Sequence, residues 1–142
     1  MKKLLIILLI CLSIHSAEAT ELILWKEHRD AVVLERYYLQ KIFTKKIAKW
    51  PDGRNINVYI KPFNSIEHKD FLSNVLGLSP FSYQQQLETQ TFTGKSASVT
   101  EVDDDAELIL KVERDPSAIG YINYEIYIGN KKVIVINSSA IH

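Results

Sequence analysis

Short apolar stretches alternate along this chain with segments whose apolar residues recur at helical spacing. A helix is expected over residues 32–43 and another after Ser65, because apolar side chains there recur every three or four positions. Strands are expected where short apolar runs lie between polar turns, at residues 21–25, 57–60, 118–122 and 132–136. This alternation predicts an α/β domain with a central, mostly parallel sheet flanked by helices.

Two more helices are predicted from their capping residues. Ser79 followed by a proline is a typical helix start, and we expect that helix to end near Leu87. Asp103 is expected to cap the next helix, which should end at Asp115 because a proline follows. The predicted buried face of this helix consists of Ala106, Ile109, Leu110 and Glu113.

The first 19 residues have the three parts of a secretory signal peptide. Two lysines precede an apolar run over residues 4–14, and residues 17–19 (AEA) form a small-x-small cleavage pattern. We expect cleavage after Ala19, which leaves residues 20–142 as a single domain in a bacterial periplasm. An uncleaved anchor is disfavoured because a spanning helix needs roughly 20 apolar residues. Lipidation at Cys11 is disfavoured because the bulky Ile10 precedes it.

Charge and cysteine content exclude several classes of protein. Without Lys2, Lys3 and Glu18, the 17 basic and 17 acidic residues become 15 and 16, so no net field attracts nucleic acid or an anionic membrane. Cys11 lies in the predicted signal, so the mature chain would form no disulfide and must be stable through its core. We expect no nucleic-acid partner and no stable membrane insertion after cleavage.

No motif in the sequence predicts catalysis, a metal or a cofactor. The GKS string at residues 94–96 lacks the earlier glycine of a phosphate-binding loop. His28 and His68 lie among charged residues and are predicted to be surface groups without metal-ligand spacing. No serine lies in a nucleophile-elbow motif. We therefore predict a protein that is not an enzyme and holds no cofactor.

Several strings occur in the order and spacing of the phosphate-type periplasmic solute-binding proteins. IFTKKIAKWPDG (residues 42–53) resembles the segment in which a helix of that family ends before a turn. SIEHKDFLSNVLG (residues 65–77) resembles the ligand helix of its second lobe, and TFTGK and DPSAIGYI resemble later landmarks there. The resemblance covers residues 22–136. It implies a type II periplasmic-binding-protein-like domain related to phosphate ABC transporters.

The resemblance also implies that this chain is one lobe. Members of the family clamp a ligand between two α/β lobes, whereas the mature chain has about half that size. The family's ligand segment is approximately R-x-D-x-S-G-T, and residues 61–67 keep only Ser65 of it. Lys61 keeps the charge of the arginine, while Phe63 and Glu67 stand where an acid and a threonine are usual. Lys45 replaces a common glycine, which either alters the loop or leaves Lys45 in a left-handed conformation at a small cost.

One function left open by these residues is the binding of phosphate or another oxyanion. Lys61, Asn64 and Ser65 would be its ligands at the start of a helix, where unpaired N–H groups attract anions. Asn64 and Glu67 also match a capping box, which would place a carboxylate over the donors that an oxyanion needs.

The other function left open is that of an interaction module. Here the lobe has lost ligand binding and contacts an envelope transporter, porin or sensor through Trp50, Phe63 and Ile66. A homodimer that rebuilds the two-lobed cleft is a variant of this hypothesis. The basic residues Lys45, Lys46 and Lys49 are predicted to form a solvated patch, with contact to an acidic partner as the alternative.

Overall fold

The computed structural model of the protein describes residues 21–25, 35–94, 99–123 and 134–137. The predicted signal peptide and His28 lie outside these residues. The described elements are, in chain order, β1 (Glu21–Trp25), α1 (Arg36–Phe43), β2 (Asn57–Ile60), α2 (Ile66–Asp70), α3 (Pro80–Phe92), β3 (Val99–Glu101), α4 (Asp105–Arg114), β4 (Ala118–Asn123) and β5 (Ile134–Asn137). No helix in this part of the chain combines the length and apolar character that crossing a membrane requires.

The strands form one sheet in the order β3-β2-β4-β1-β5. β2 is parallel to β3 and to β4, whereas β1 is antiparallel to β4 and to β5. Four of the five described strands therefore run in one direction, which confirms the predicted α/β fold with a mostly parallel sheet flanked by helices. Ile60 pairs with Glu101, so the carboxyl ends of β2 and β3 lie at the same edge of the sheet.

The helix that follows β2 packs against the sheet and changes from an α-helix to a π-helix along its length. α2 continues without a break into a π-helical segment, Phe71–Leu76, and Gly77 ends it with a φ of 66°, as expected of a left-handed cap. The ring of Phe71 stacks on that of Tyr121 at 3.7 Å between centroids. Four apolar side chains of this segment are buried against the sheet: Phe71, Leu72, Val75 and Leu76.

Three sequence-based expectations about the elements are wrong, namely the end of α3, the N-cap of α4 and the buried face of α4, and one strand was not predicted. α3 extends to Phe92 rather than Leu87, and β3 was not predicted because its three residues include only one strongly apolar side chain. The N-cap of α4 is Asp104 rather than Asp103, and its inner face contains Leu108 and Val112. Of the predicted face, Ala106 and Leu110 are exposed and only Ile109 packs as a half-buried neighbour of the core.

The loop between α1 and β2 buries two residues that were expected at the surface. Trp50 is 2% exposed, and its Nε1–H donates to the Ser117 carbonyl at 3.1 Å. Of the two alternatives for Lys45, the structure has the left-handed conformation, with a φ of 60°, but the Lys45 Nζ is buried and donates to the Ile56 carbonyl at 2.6 Å. Burial lowers the pKa of the Lys45 ammonium. Trp50 is therefore not available as a surface contact, and Lys45 does not belong to the solvated patch.

Candidate functional site

The segment that joins β2 to α2 lies at the edge of the sheet where the parallel strands end. Lys61 follows directly after β2, and its backbone N–H donates to the Tyr121 hydroxyl at 3.1 Å. Although lysine is rarely buried without a partner, the Lys61 side chain has little access to solvent. Ligands of open α/β sheets bind at this edge, so these residues form the candidate site.

The ammonium of Lys61 forms an ion pair with the carboxylate of Asp105. Asp105 is the first residue of α4, and the short connection from β3 brings it to the edge where β2 also ends. Both side chains are largely withdrawn from water, where an unpaired charge would be costly. The Lys61 ammonium, which was predicted to bind an anion, is thus already neutralised by a carboxylate of the protein itself.

Ser65, and not Asn64, caps α2. The Ser65 Oγ accepts the His68 N–H at 3.2 Å and donates to the Pro62 carbonyl at 2.7 Å. With Ser65 as the cap, Glu67 is the second helical residue, so the predicted capping box between Asn64 and Glu67 is wrong. The Asn64 side chain is exposed beside the turn, and the Ser65 hydroxyl is fully engaged in holding the helix start.

A depression of about 480 Å³ opens at this place. Lys61 and Ser65 contribute to its wall, whereas Asn64 does not, so the structure brings together two of the three predicted anion ligands. The remaining polar lining is acidic, with four carboxylates against one ammonium. The lining consists of Lys61, Pro62, Ser65, Glu67, Asp103, Asp104, Asp105 and Ala106.

His68 lies beneath the start of α2. It was predicted to be a surface group, but it is buried. Its side chain is 1% exposed, and Nδ1 forms a 2.6 Å hydrogen bond with the Tyr121 hydroxyl. Nε2 has no hydrogen-bond partner among the described residues. The imidazole packs edge-on against the rings of Phe63 and Tyr83, with centroids at 5.5 and 5.3 Å. Burial lowers the pKa of His68 to about 4, although the charge of Glu101 acts in the opposite direction.

The two remaining candidate contacts, Phe63 and Ile66, are accessible. Phe63 is 39% exposed and Ile66 is 73% exposed. The Phe63 backbone N–H donates to a Glu101 carboxylate oxygen at 2.6 Å, which ties this loop to the end of β3. Phe63 also lines an open groove of about 670 Å³ on the side of α3, together with Gln84, Leu87, Glu88, Thr91 and Phe92.

Three groups that determine the character of this site were not predicted. Asp105 neutralises Lys61, Glu101 holds the Phe63 backbone, and the Tyr121 hydroxyl joins Lys61 to His68. Recognition of β3 would have revealed the first two, because the ends of neighbouring parallel strands meet at one edge. The part of the chain that the structure describes contains no group of three or more histidine, cysteine or acidic side chains arranged to hold a metal ion.

Comparisons with known proteins were made against family models, curated sequences and solved structures. No family model matches the chain, and no curated sequence does. A phosphate transport receptor of the ABC type from Vibrio cholerae matches 84% of this chain with a TM-score of 0.60 and 19% identity. A substrate-binding protein assigned to a phosphate ABC transporter of Clostridium perfringens, solved with bound phosphate, gives the same coverage, TM-score and identity. PstS from Borrelia burgdorferi matches 74% at a TM-score of 0.52 and 21% identity.

These likenesses establish the fold and its extent. The matched region is 46%, 45% and 41% of the three solved chains, so this chain spans less than half the length of each. At such low identity the agreement concerns the backbone and not the ligand. The chain therefore has the α/β fold of the phosphate-type solute-binding proteins, matched over less than half of their length.

Proposed function

We propose that this chain is an exported, non-catalytic interaction module built on the fold of a solute-binding lobe, and that it does not hold phosphate by itself. The ion pair between Lys61 and Asp105 is the observation that supports this proposal. An oxyanion at this place would have to compete with a carboxylate that is covalently part of the protein. The Ser65 hydroxyl is likewise engaged with the backbone around it.

The electrostatic balance of the depression favours the same conclusion. At an effective dielectric constant of about 20, two unit charges about 6 Å apart repel each other by roughly 3 kcal/mol. Glu67, Asp103 and Asp104 line the depression in addition to the paired Asp105. A hydrogen bond from the protein would return only about 0.5–1.5 kcal/mol, so a few donors do not offset three nearby carboxylates.

Oxyanion binding is the second candidate. It is supported by the bound phosphate in the Clostridium perfringens protein of the same fold and by the position of Ser65 at the start of α2. Lys61, Asn64 and Ser65 would be the ligands, and Asp105 would have to release the Lys61 ammonium.

The proposed partner is a protein of the bacterial envelope, such as a transporter, porin or sensor, because the predicted signal peptide would export the chain. Phe63 and Ile66 are proposed as contacts, since both are exposed beside the depression. Trp50 is left out of this set because it is buried in the core.

Calorimetric titration of the purified protein with phosphate and with sulfate tests the proposal. We expect no heat of binding up to millimolar anion for the natural sequence. Asp105→Asn should release the Lys61 ammonium and strengthen phosphate binding relative to the natural sequence, but to no tighter than millimolar, because Glu67, Asp103 and Asp104 still line the depression. Asp70→Asn is the matched control, because it removes one exposed carboxylate of α2 that does not line the depression. Micromolar phosphate binding by the natural sequence would refute the proposed function.

A further inference from the structure

An apolar groove lies on the outer side of α3 with no covering segment among the described residues. Its apolar walls are Phe63, Leu87 and Phe92, and the ring of Phe92 is 89% exposed. The volume of about 670 Å³ is sufficient for one or two large side chains of a partner. Glu88 is exposed on the wall of the groove, so the rim carries negative charge.

Acidic and basic residues are unevenly distributed along the sequence, and the groove lies in the acidic part. Residues 61–107 contain three basic and eight acidic side chains, whereas residues 35–60 contain six basic and two acidic ones. The formal net charge of zero therefore conceals two regions of opposite sign. Glu67 and Asp103 continue the negative region from the groove across Phe63 to the depression beside Lys61.

The two regions lie at opposite edges of the sheet. The backbone bridge between Lys49 and Asn55 immediately precedes β2, which places the basic loop at the amino end of that strand. Lys61 and the acidic residues that follow β3 lie at its carboxyl end. Four strand residues separate the two edges by roughly 13 Å.

On α1, the helix that leads into the basic loop, one exposed aromatic ring lies beside lysines. Tyr37 is 65% exposed, and the Lys41 Nζ lies 4.1 Å from the centroid of its ring. Lys46 is exposed and close enough to contribute to a lowered pKa of the Tyr37 hydroxyl, for which the Lys41 hydrogen bond is the main cause. We call Tyr37, Lys41 and Lys46 the basic patch.

We propose that the chain associates with a second copy of itself head to tail, with the basic patch of one copy docked on the apolar groove and its acidic surroundings in the next. The Tyr37 ring would enter the groove between Phe63 and Phe92, and the two lysines would lie near the carboxylates around it. The occupant is assigned from complementarity, because this chain itself carries an exposed aromatic ring flanked by cations. The proposal deepens the proposed function by naming a second copy as a partner of the surface that contains Phe63. It rests on that function because both treat this face as a protein contact and not as an anion site.

The symmetry of this contact has a consequence for assembly. The two docking surfaces are different, so the contact is heterologous and leaves one free surface of each kind at the ends of a dimer. Growth should therefore continue with protein concentration instead of stopping at two copies. Zero net charge permits this, because copies do not repel each other at long range.

Sedimentation velocity at 50 mM and 500 mM NaCl tests the proposal. The mean mass should rise with protein concentration at low salt and return to that of the monomer at high salt. Lys46→Glu and, separately, Glu88→Lys on the wall of the groove should each weaken the association on the order of tenfold. Lys111→Glu is the matched control, because this lysine is exposed on α4 outside the patch, and it should leave the association unchanged.

A mixture of the two charge-reversed variants provides the decisive observation. Each variant alone should associate about tenfold more weakly than the natural sequence, while the mixture should regain the association, because the reversed patch of one then faces the reversed groove rim of the other. A protein that remains monomeric at 50 mM NaCl, or a mixture that fails to associate, would overturn the proposal. If the chain does not self-associate and phosphate titration shows no binding, the proposed function still stands. Phosphate binding would refute the proposed function whether or not the chain self-associates.

Discussion

Acidification should destabilise this protein through His68, a buried base. Its pKa falls from 6.5 to about 4 because the imidazole lies among aromatic rings without solvent. Between these two values the unfolded chain binds the proton more readily than the folded one, so stability rises with pH across this window. A shift of about 2.5 units corresponds to roughly 3.4 kcal/mol of unfolding free energy that is lost below pH 4. About 2 kcal/mol of it is lost between pH 7.5 and pH 5.

Urea unfolding at pH 7.5 and pH 5 measures this contribution. His68→Gln removes the titrating group but keeps an amide that can bond the Tyr121 hydroxyl, so its loss on acidification should be smaller by about 2 kcal/mol. Lys69→Gln, at the next and exposed position of α2, is the control and should retain the full loss. The carboxylates of the protein contribute equally to the pH dependence of the natural sequence and of both variants, so their contribution cancels in the comparison. Equal losses in the natural sequence and in His68→Gln would show that His68 does not carry a lowered pKa.

Two further predictions concern the fold. Gly120→Ala should lower the unfolding free energy by about 1–3 kcal/mol, because the new Cβ would lie 2.7 Å from the Leu108 Cδ2. In thermal unfolding, the added substitution Leu108→Val should restore part of this loss. An unchanged stability of Gly120→Ala would refute the close packing of α4 on β4. Ser65→Ala should cost about 1 kcal/mol because it removes the cap of α2, whereas Asn64→Ala should change stability by less than about 0.5 kcal/mol. The reverse order in urea unfolding would restore Asn64 as the cap.

Much of the architecture follows from local features of the sequence. The apolar runs at β1, β2 and β4 predict strands, and Ser79 followed by a proline predicts the start of α3. These predictions succeed because they depend on neighbouring residues alone. The exact caps of α2 and α4 were not predicted, because polar residues that can cap lie side by side at both helix starts.

Predictions of burial succeed less well, since burial depends on what packs above an element. His68 and Trp50 lie among polar residues in the sequence but are buried in the fold. The inner face of α4 differs from the predicted one because Leu108 packs directly over the glycine of β4. Nothing within the helix itself reveals the position of that glycine.

The sequence by itself determined that this chain is an α/β domain, the approximate positions of its helices, and which segment forms the candidate site. Only the tertiary structure decided the chemistry of that site. Lys61 and Asp105 are far apart in sequence, and they meet because two parallel strands end at one edge of the sheet. A lysine that suggests an anion ligand when considered alone thereby becomes half of an internal ion pair, in a depression whose remaining charges are negative.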